Sequence, residues 1–316
     1  MGNSFVAEWG SSIEFGDCLE IMRNWPDQCV QMCVTSPPYW GLRDYGVAGQ
    51  LGLESTPQEY VEKMVAVFRE VRRVLRDDGT LWLNLGDSYG TGTTAPRKQG
   101  SRGLGASTQE AQDAVPRCGG MAKQLIGIPW RVSLALQADG WYLRQDIIWA
   151  KPNPMPESVR DRCTKSHEYI FLLSKNERYY FDAEAMQEPA NPQNYRPNPT
   201  VREIPPGSTR QGKMDDRRGE VRCDTRNKRS VWTVSTKPFK GAHFATFPPD
   251  LIEPCILAGS RPGDTVLDPF MGSGTTAMVA QRHGRKYRGC ELQENYRDLQ
   301  VARIGAPKTA DLFGNT

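Results

Sequence analysis

Asp268-Pro269-Phe270-Met271-Gly272-Ser273-Gly274-Thr275-Thr276 lies between a short apolar run over 265–267 and a helical pattern that ends near Gly284. A strand closes on an acidic residue, turns through two glycines and enters a helix. Glycines let backbone amides approach a ligand closely, and the first amides of a helix favour its negative part. The next strand, over 286–291, ends in Glu291. An acidic side chain about 20 positions past such glycines suits hydrogen bonds to two ribose hydroxyls. Together these features predict a site for a nucleoside-containing cofactor. The plainer alternative is a tight strand-to-helix turn. No Gly-x-x-x-x-Gly-Lys-Ser/Thr run is present, so this is not a nucleotide P-loop. Met271 stands where a hydrolase nucleophile elbow needs glycine.

Outward from this loop the chain alternates strand and helix signals. Strands are predicted over 12–15, 30–35, 80–85, 142–150, 168–173, 265–267 and 286–291. Helices are predicted over 17–24, 57–76, 123–138, 249–258, 275–284 and 295–303. Thr56-Pro57-Gln58-Glu59 is a capping box with proline at the first helical position. Asp78-Gly79 and Asp139-Gly140 read as helix stops. Such alternation predicts an α/β fold with a doubly wound, mainly parallel sheet. Two stretches break it. The polar loop over 90–122 is long for a compact domain, and such loops are usually functional or disordered. The stretch over 184–235 is rich in Pro, Arg and Asn and too poor in apolar residues to fold alone. The organisation read from this is a catalytic part over 1–183, an appended region over 184–235, and a cofactor-binding part over 236–316 of the same domain.

Composition narrows the classes. Of 316 residues, 38% are apolar and 24% charged, and mean hydropathy is -0.59, which suits a globular chain with polar excursions. No stretch approaches the roughly 18 apolar residues a spanning helix needs, so no membrane partner is expected. The start, Met1 to Ser12, lacks the basic and apolar regions of a secretory signal. Neither Val6 nor Ala7 is the Ser or Thr that a myristoylation signal wants, so no lipid anchor is expected. Net charge is +3, yet residues 201–230 hold nine Arg/Lys and five Asp/Glu, a local +4. The remaining 286 residues therefore sum to -1, which points to an anionic partner meeting one part of the surface. Eight cysteines form no Cys-x-x-Cys pair and only three histidines exist, so no metal site is expected. The cysteines read as free thiols of a reducing, cytoplasmic compartment.

A second motif, Thr35-Ser36-Pro37-Pro38-Tyr39-Trp40, follows the apolar run over 30–35. Two prolines forbid both helix and ladder, so it is a loop at a strand's C-terminal end. Proline lacks an N–H, so the exposed groups of such a loop are acceptors, joined by Ser36 Oγ. Two acceptors can converge on one NH2 group, and Tyr39 offers a flat face to a planar ring. An aromatic amine is a poor nucleophile because its lone pair is delocalised. Acceptors on its hydrogens localise that pair, and an adjacent electrophilic methyl can then be attacked in line without a covalent enzyme intermediate.

These residues resemble the DNA amino-methyltransferases, which methylate adenine N6 or cytosine N4 with S-adenosylmethionine. Ser36-Pro37-Pro38-Tyr39 matches their catalytic loop, Asp/Asn/Ser-Pro-Pro-Tyr/Phe/Trp. Residues 268–276 match their Asp-Pro-Phe-x-Gly-Ser-Gly-Thr-Thr cofactor loop. The catalytic loop precedes the cofactor loop, as in the permuted β class. Shorter segments also fit: Glu14-Phe15-Gly16-Asp17-Cys18, the stretch from Leu81 to Tyr89, Ile147-Ile148-Trp149-Ala150-Lys151-Pro152-Asn153, and the stretch from His243 to Leu251.

The resemblance implies a Rossmann-like fold, S-adenosylmethionine as cofactor, and double-stranded DNA as partner. It implies a target base flipped from the duplex, because the reacting amine is otherwise paired. Ser36, Pro37, Pro38 and Tyr39 would carry catalysis. Asp17, Thr35, His243, Phe247, Asp268, Phe270, Gly272, Ser273, Gly274, Thr275, Thr276 and Glu291 would bind the cofactor. For Asp17, Asp268 and Glu291 the plainer readings are a helix cap, a turn support and a surface acid. Trp40, Trp149, Lys151, Asn153, Arg217 and Arg218 would contact the substrate. The region over 184–235 would recognise the target sequence, its arginines meeting phosphates or guanine edges. No metal is implied. A homodimer and a separate restriction endonuclease are companions the family suggests, in a bacterial, archaeal or phage setting.

In the family, Asp at the first loop position is typical of adenine enzymes and Ser of cytosine-N4 enzymes, so Ser36 favours cytosine N4, with adenine N6 as the alternative. Cytosine-C5 chemistry needs a cysteine nucleophile. Pro254-Cys255 lies in an apolar helical pattern and reads as core. RNA or protein methylation and a non-catalytic binding module are the remaining readings. The contiguous cofactor loop and the two intact motifs argue against them.

Overall fold

The computed structural model describes residues 10–42, 44, 46–90, 122–190, 225–236 and 247–305. His243, Arg217 and Arg218 lie outside them, as do most of the stretches over 90–122 and 184–235.

The strands are β1 (Ser12–Phe15), β2 (Val30–Thr35), β3 (Leu75–Leu85), β4 (Tyr142–Ala150), β5 (His167–Ser174), β6 (Gln187–Pro189), β7 (Thr225–Asn227), β8 (Val231–Thr233), β9 (Thr265–Asp268) and β10 (Lys286–Glu291). The helices are α1 (Cys18–Arg23), α2 (Pro57–Val74), α3 (Ile128–Ala138), α4 (Pro249–Gly259), α5 (Thr275–Arg282) and α6 (Arg297–Ile304). Eight strands form one sheet in the order β1-β10-β9-β2-β3-β5-β4-β8. All run parallel except β5, which is antiparallel to both neighbours. This is the doubly wound, mainly parallel sheet expected. β6 and β7 pair separately.

Alternation along the strands feeds two apolar layers. Cys33, Leu81 and Leu83 face Met22, Tyr60, Phe68 and Leu136 of α1, α2 and α3. Met32, Val34 and Trp82 face Ile252, Ile256 and Val279 of α4 and α5. Helix α2 buries Tyr60, Val61, Met64, Val67, Phe68, Val71 and Val74, one stripe at helical spacing. Its start is capped as the sequence predicts: Thr56 Oγ1 accepts from Glu59 N at 3.2 Å.

Three boundaries differ from expectation. Helix α2 stops at Val74 rather than Arg76, because β3 already pairs with β2 from Leu75. Asp78 and Gly79 therefore lie inside β3, where a Cβ on Gly79 would sit 2.9 Å from Gln31 O. The helix expected from Lys123 begins only at Ile128, after Gly127 in the left-handed region and with proline in its first turn. Asp87 Oδ1 accepts from the amides of Gly127 and Ile128, each at 3.0 Å, and so caps it from another element. Strand β8, within the apolar-poor stretch, was not predicted. It extends the sheet beside β4 and buries Trp232.

Candidate active site

Strands β9 and β2 are neighbours, with Cys33 opposite Leu267. From β9 the chain crosses through α5 to β10 on one side. From β2 it crosses through α2 to β3 on the other. A sheet binds ligands in the crevice beyond the strand ends at such a switch point. Both sequence motifs leave the sheet there.

Asp268 ends β9 and is only 1% exposed. Its Oδ1 accepts from Thr35 Oγ1 at 2.6 Å and Phe270 N at 3.0 Å, and its Oδ2 from Thr276 Oγ1 at 2.7 Å. Burial pushes its carboxyl up to about 6, against the pull of these bonds. Asp268 thus orients the loop from beneath. The expected direct cofactor contact gives way to the turn-support reading, because every bond it makes is internal. Thr35 and Thr276, fully buried, are spent on the same carboxylate. Phe270 is partly buried against the apolar layer that holds α1, α2 and α3.

Above Asp268 the loop opens. Gly272 and Gly274 have φ of +52° and +81°, in the left-handed region that favours glycine. A Cβ on Gly272 would meet nothing closer than Phe270 O at 3.9 Å, so its outer side is open space. Glu291, at the tip of β10, turns toward this loop. Its Oε2 accepts from Gly272 N at 2.7 Å and its Oε1 from Gln293 N at 2.9 Å. Burial raises its pKa. Asp17 follows β1 alongside, where Phe15 pairs with Glu291. Asp17 caps α1, with Leu19 N and Glu20 N both donating to Oδ1.

The far side of the loop is held by two residues the sequence reading missed. Gln300 Nε2 donates to Gly272 O at 2.7 Å, and Arg303 donates to Ser273 Oγ. Both come from α6, a helix whose only sequence signal was a weak apolar period. Thr275 is buried at the start of α5.

The Ser36-Pro37-Pro38-Tyr39 loop follows directly on Thr35, the last residue of β2. Tyr60 Oη donates to Pro38 O at 2.9 Å and pins its turn to α2. Tyr39 Oη lies 2.7 Å from Glu168 Oε2, 3.1 Å from Asn84 Oδ1 and 3.3 Å from Ser36 Oγ. Burial, then the Glu168 charge, pushes the Tyr39 hydroxyl well above its usual range, so it stays protonated. Gly86 passes directly under the ring: a Cβ there would sit 2.5 Å from Tyr39 Cε2. Lys151 pairs with the other oxygen of Glu168 and lies 4.3 Å from the Trp149 ring centroid. Asn84 and Glu168 were not among the expected site residues. Their strands, β3 and β5, are antiparallel neighbours, which sets Asn84 beside the strand carrying Glu168.

Two expected substrate contacts are corrected. Trp40 is 1% exposed, packs in the core of α2 and donates from Nε1 to Glu54 O at 2.9 Å. Trp149 is 4% exposed and donates from Nε1 to Val234 O at 2.8 Å, with Lys151 over its ring. Both indoles are closed off by the fold. Asn153 is exposed and exchanges two hydrogen bonds with the Thr236 backbone, at 3.3 and 3.1 Å. Phe247 packs against the α4 layer. Cys255 is fully buried and burial raises its thiol pKa, so it offers no nucleophile. Among the described residues no cluster of His, Cys, Asp and Glu could hold a metal, and no helix is long and apolar enough to cross a membrane.

The donor set fits S-adenosylmethionine. Glu291 places a carboxylate at a strand tip, where its remaining lone pairs could meet ribose hydroxyls. The open side of Gly272 leaves room beside it, and Ser36 lies across the switch point where a methyl donor would meet an amine.

Comparison with known proteins agrees. A family model described as DNA methylase, that of the N6/N4 methyltransferases, matches residues 30–302. The chain is 46% identical over 304 residues to type II methyltransferase M.Cfr9I of Citrobacter freundii, covering 95% of this chain and 89% of the relative. It is 47% identical over 289 residues to M.SmaI of Serratia marcescens, covering 92% and 89%. Among solved structures, the PvuII cytosine-N4-specific DNA methyltransferase superposes with a TM-score of 0.62 at 21% identity, over 95% of this chain and 88% of that one. A putative DNA modification methylase of Thermus thermophilus, solved with S-adenosyl-L-methionine, gives 0.57 at 24%, over 93% of each chain. A switch-point crevice that joins a Ser-Pro-Pro-Tyr loop to a glycine-rich cofactor loop, in a chain this close to type II methyltransferases, belongs to the N4/N6 DNA methylase family, whose members depend on S-adenosylmethionine.

Proposed function

We propose that this chain methylates the N4 amine of a cytosine flipped out of duplex DNA. The observation that carries this reading is the bond between Thr35 and Asp268, which ties the catalytic loop to the base of the cofactor loop. Bound S-adenosylmethionine supplies the electrophilic methyl. The chain supplies geometry. Glu291 would meet the nucleoside end in the open space beside Gly272, and Asp268, Gln300 and Arg303 hold that loop in shape. Ser36 Oγ and a loop carbonyl accept from the target amine and localise its lone pair. Tyr39, its hydroxyl anchored, presents its ring to the base. Such positioning removes most of the entropic cost of bringing amine and methyl into line.

The choice of cytosine rests on Ser36. A carboxylate at that position is the pattern of adenine enzymes, and this chain has a hydroxyl. The PvuII enzyme is cytosine-N4-specific by name; at 21% identity its likeness bears on the fold. Recognition of the surrounding sequence is assigned to the region over 184–235, which follows β5 out of the eight-stranded sheet, pairs β6 with β7 and rejoins the sheet at β8. Its arginine-rich part would meet DNA phosphates. A separate restriction endonuclease would be the companion of such an enzyme.

The test is transfer of labelled methyl from S-adenosylmethionine to unmethylated duplex DNA. Ser36→Ala and Tyr39→Ala should each lower the rate by about 100-fold or more while the proteins remain folded. Full activity in either variant would refute the catalytic assignment.

A further inference from the structure

A serine hydroxyl carries one proton and two acceptor lone pairs. Left to rotate, it meets an incoming amine as donor or as acceptor, whereas an aspartate can only accept. A loop that must accept from an NH2 group therefore has a problem when Ser stands first.

The surroundings of Tyr39 solve it. The Tyr39 hydroxyl has one proton to give. Glu168 Oε2, at 2.7 Å, is both the nearest acceptor and the charged one, and such bonds are the stronger kind. Asn84 reinforces the direction. Its Nδ2 donates to Tyr169 O at 3.1 Å and reaches Glu168 Oε2 at 3.3 Å, which turns its Oδ1 toward Tyr39. Toward Ser36 Oγ, 3.3 Å away, Tyr39 Oη can then only accept. Ser36 spends its single proton on Tyr39, and lone pairs are what it has left for the crevice. The carboxylate that starts the chain is partnered on its other oxygen by Lys151. Lys165, whose Nζ donates to Asp87 O at 3.1 Å, is a second cation acting on it.

We propose that Glu168, acting through Tyr39, is a positioning residue that commits Ser36 to hydrogen-bond acceptance and so gives a serine loop the polarity of an aspartate loop. This rests on the reading of Ser36 as the acceptor for a target amine. It gives the Tyr39 hydroxyl a task separate from stacking by the ring.

The experiment is single-turnover methyl transfer at saturating DNA and cofactor, with DNA affinity measured alongside. Tyr39→Phe keeps the ring and cuts the relay. It should slow transfer about tenfold or more, with DNA affinity within about twofold of wild type. In a Ser36→Asp background, where the first residue accepts by its own chemistry, Tyr39→Phe should change the rate less than about threefold. Equal losses in both backgrounds would overturn the relay and leave the hydroxyl a structural anchor. If Ser36→Asp melts early, the Tyr39→Phe/Glu168→Gln pair decides instead. The relay predicts a double variant no slower than the slower single one, and multiplied losses would overturn it. Wild-type protein that transfers no methyl to DNA refutes the functional reading itself, whereas active wild type with background-independent losses refutes only the relay.

Discussion

Thr35 and Asp268 stand 233 positions apart in sequence and share a buried hydrogen bond of 2.6 Å. It joins the last residue of β2 to the last residue of β9, so the two loops that the proposed reaction would bring together start from one fixed point. Thr35→Val keeps the shape and removes the donor. A buried carboxylate that loses one partner costs about 1–3 kcal/mol. We expect that loss in chemical denaturation, together with weaker S-adenosylmethionine binding by calorimetry. An unchanged affinity would mean that the two loops are positioned independently.

Asp268 also makes stability depend on pH. Its folded pKa, about 6, lies above the ordinary 3.8, so the native state holds the proton more tightly than the unfolded chain. The stabilisation this group offers is complete below about pH 4 and is lost as pH rises through 6. Against Asp268→Asn, which cannot titrate, wild type should lose about 3 kcal/mol of relative stability between those limits. Denaturant melts of both proteins across this range measure it. A constant difference, or one that grows with pH, would contradict the assignment.

Gly86 is glycine because the Tyr39 ring occupies the place of its side chain. A Cβ 2.5 Å from Cε2 forces the ring to move. Gly86→Ala should therefore cut methyl transfer by about 100-fold, with a stability loss of about 1–3 kcal/mol from overpacking. Melting curves and single-turnover rates together separate the two effects. Retained activity would show that the position of the ring is not critical.

Trp40 adjoins the catalytic loop but belongs to the core. Trp40→Ala should cost about 3–5 kcal/mol. At a temperature where the variant is folded, its DNA affinity by fluorescence anisotropy should match wild type. A folded variant with selectively weakened DNA binding would restore Trp40 to the substrate site.

The two loops were legible because each breaks a periodic pattern with residues that have few other uses: paired prolines after a strand, and glycines between strand and helix. The parallel sheet was legible from the alternation of elements. Trp40 and Trp149 were misread because an aromatic beside a motif looks the same in sequence whether its ring faces a crevice or the core. Glu168 and Asn84 were missed for a different reason. Their importance comes from β5 running antiparallel beside β3, and pairing across a sheet leaves no local signal. Gln300 and Arg303 act from the last helix back onto Gly272 and Ser273, again a purely tertiary relation. Strand β8 carries three residues in a polar stretch, and the paired edge of β4 makes it a strand more than its own propensity does.

The most direct test of the account is nucleoside mass spectrometry of unmethylated duplex DNA incubated with the purified protein and S-adenosylmethionine. The account predicts N4-methylcytosine, at a level that falls away in Ser36→Ala. N6-methyladenine in its place would overturn the reading of Ser36, and no methylated base in DNA of broad sequence content would contradict the proposed substrate.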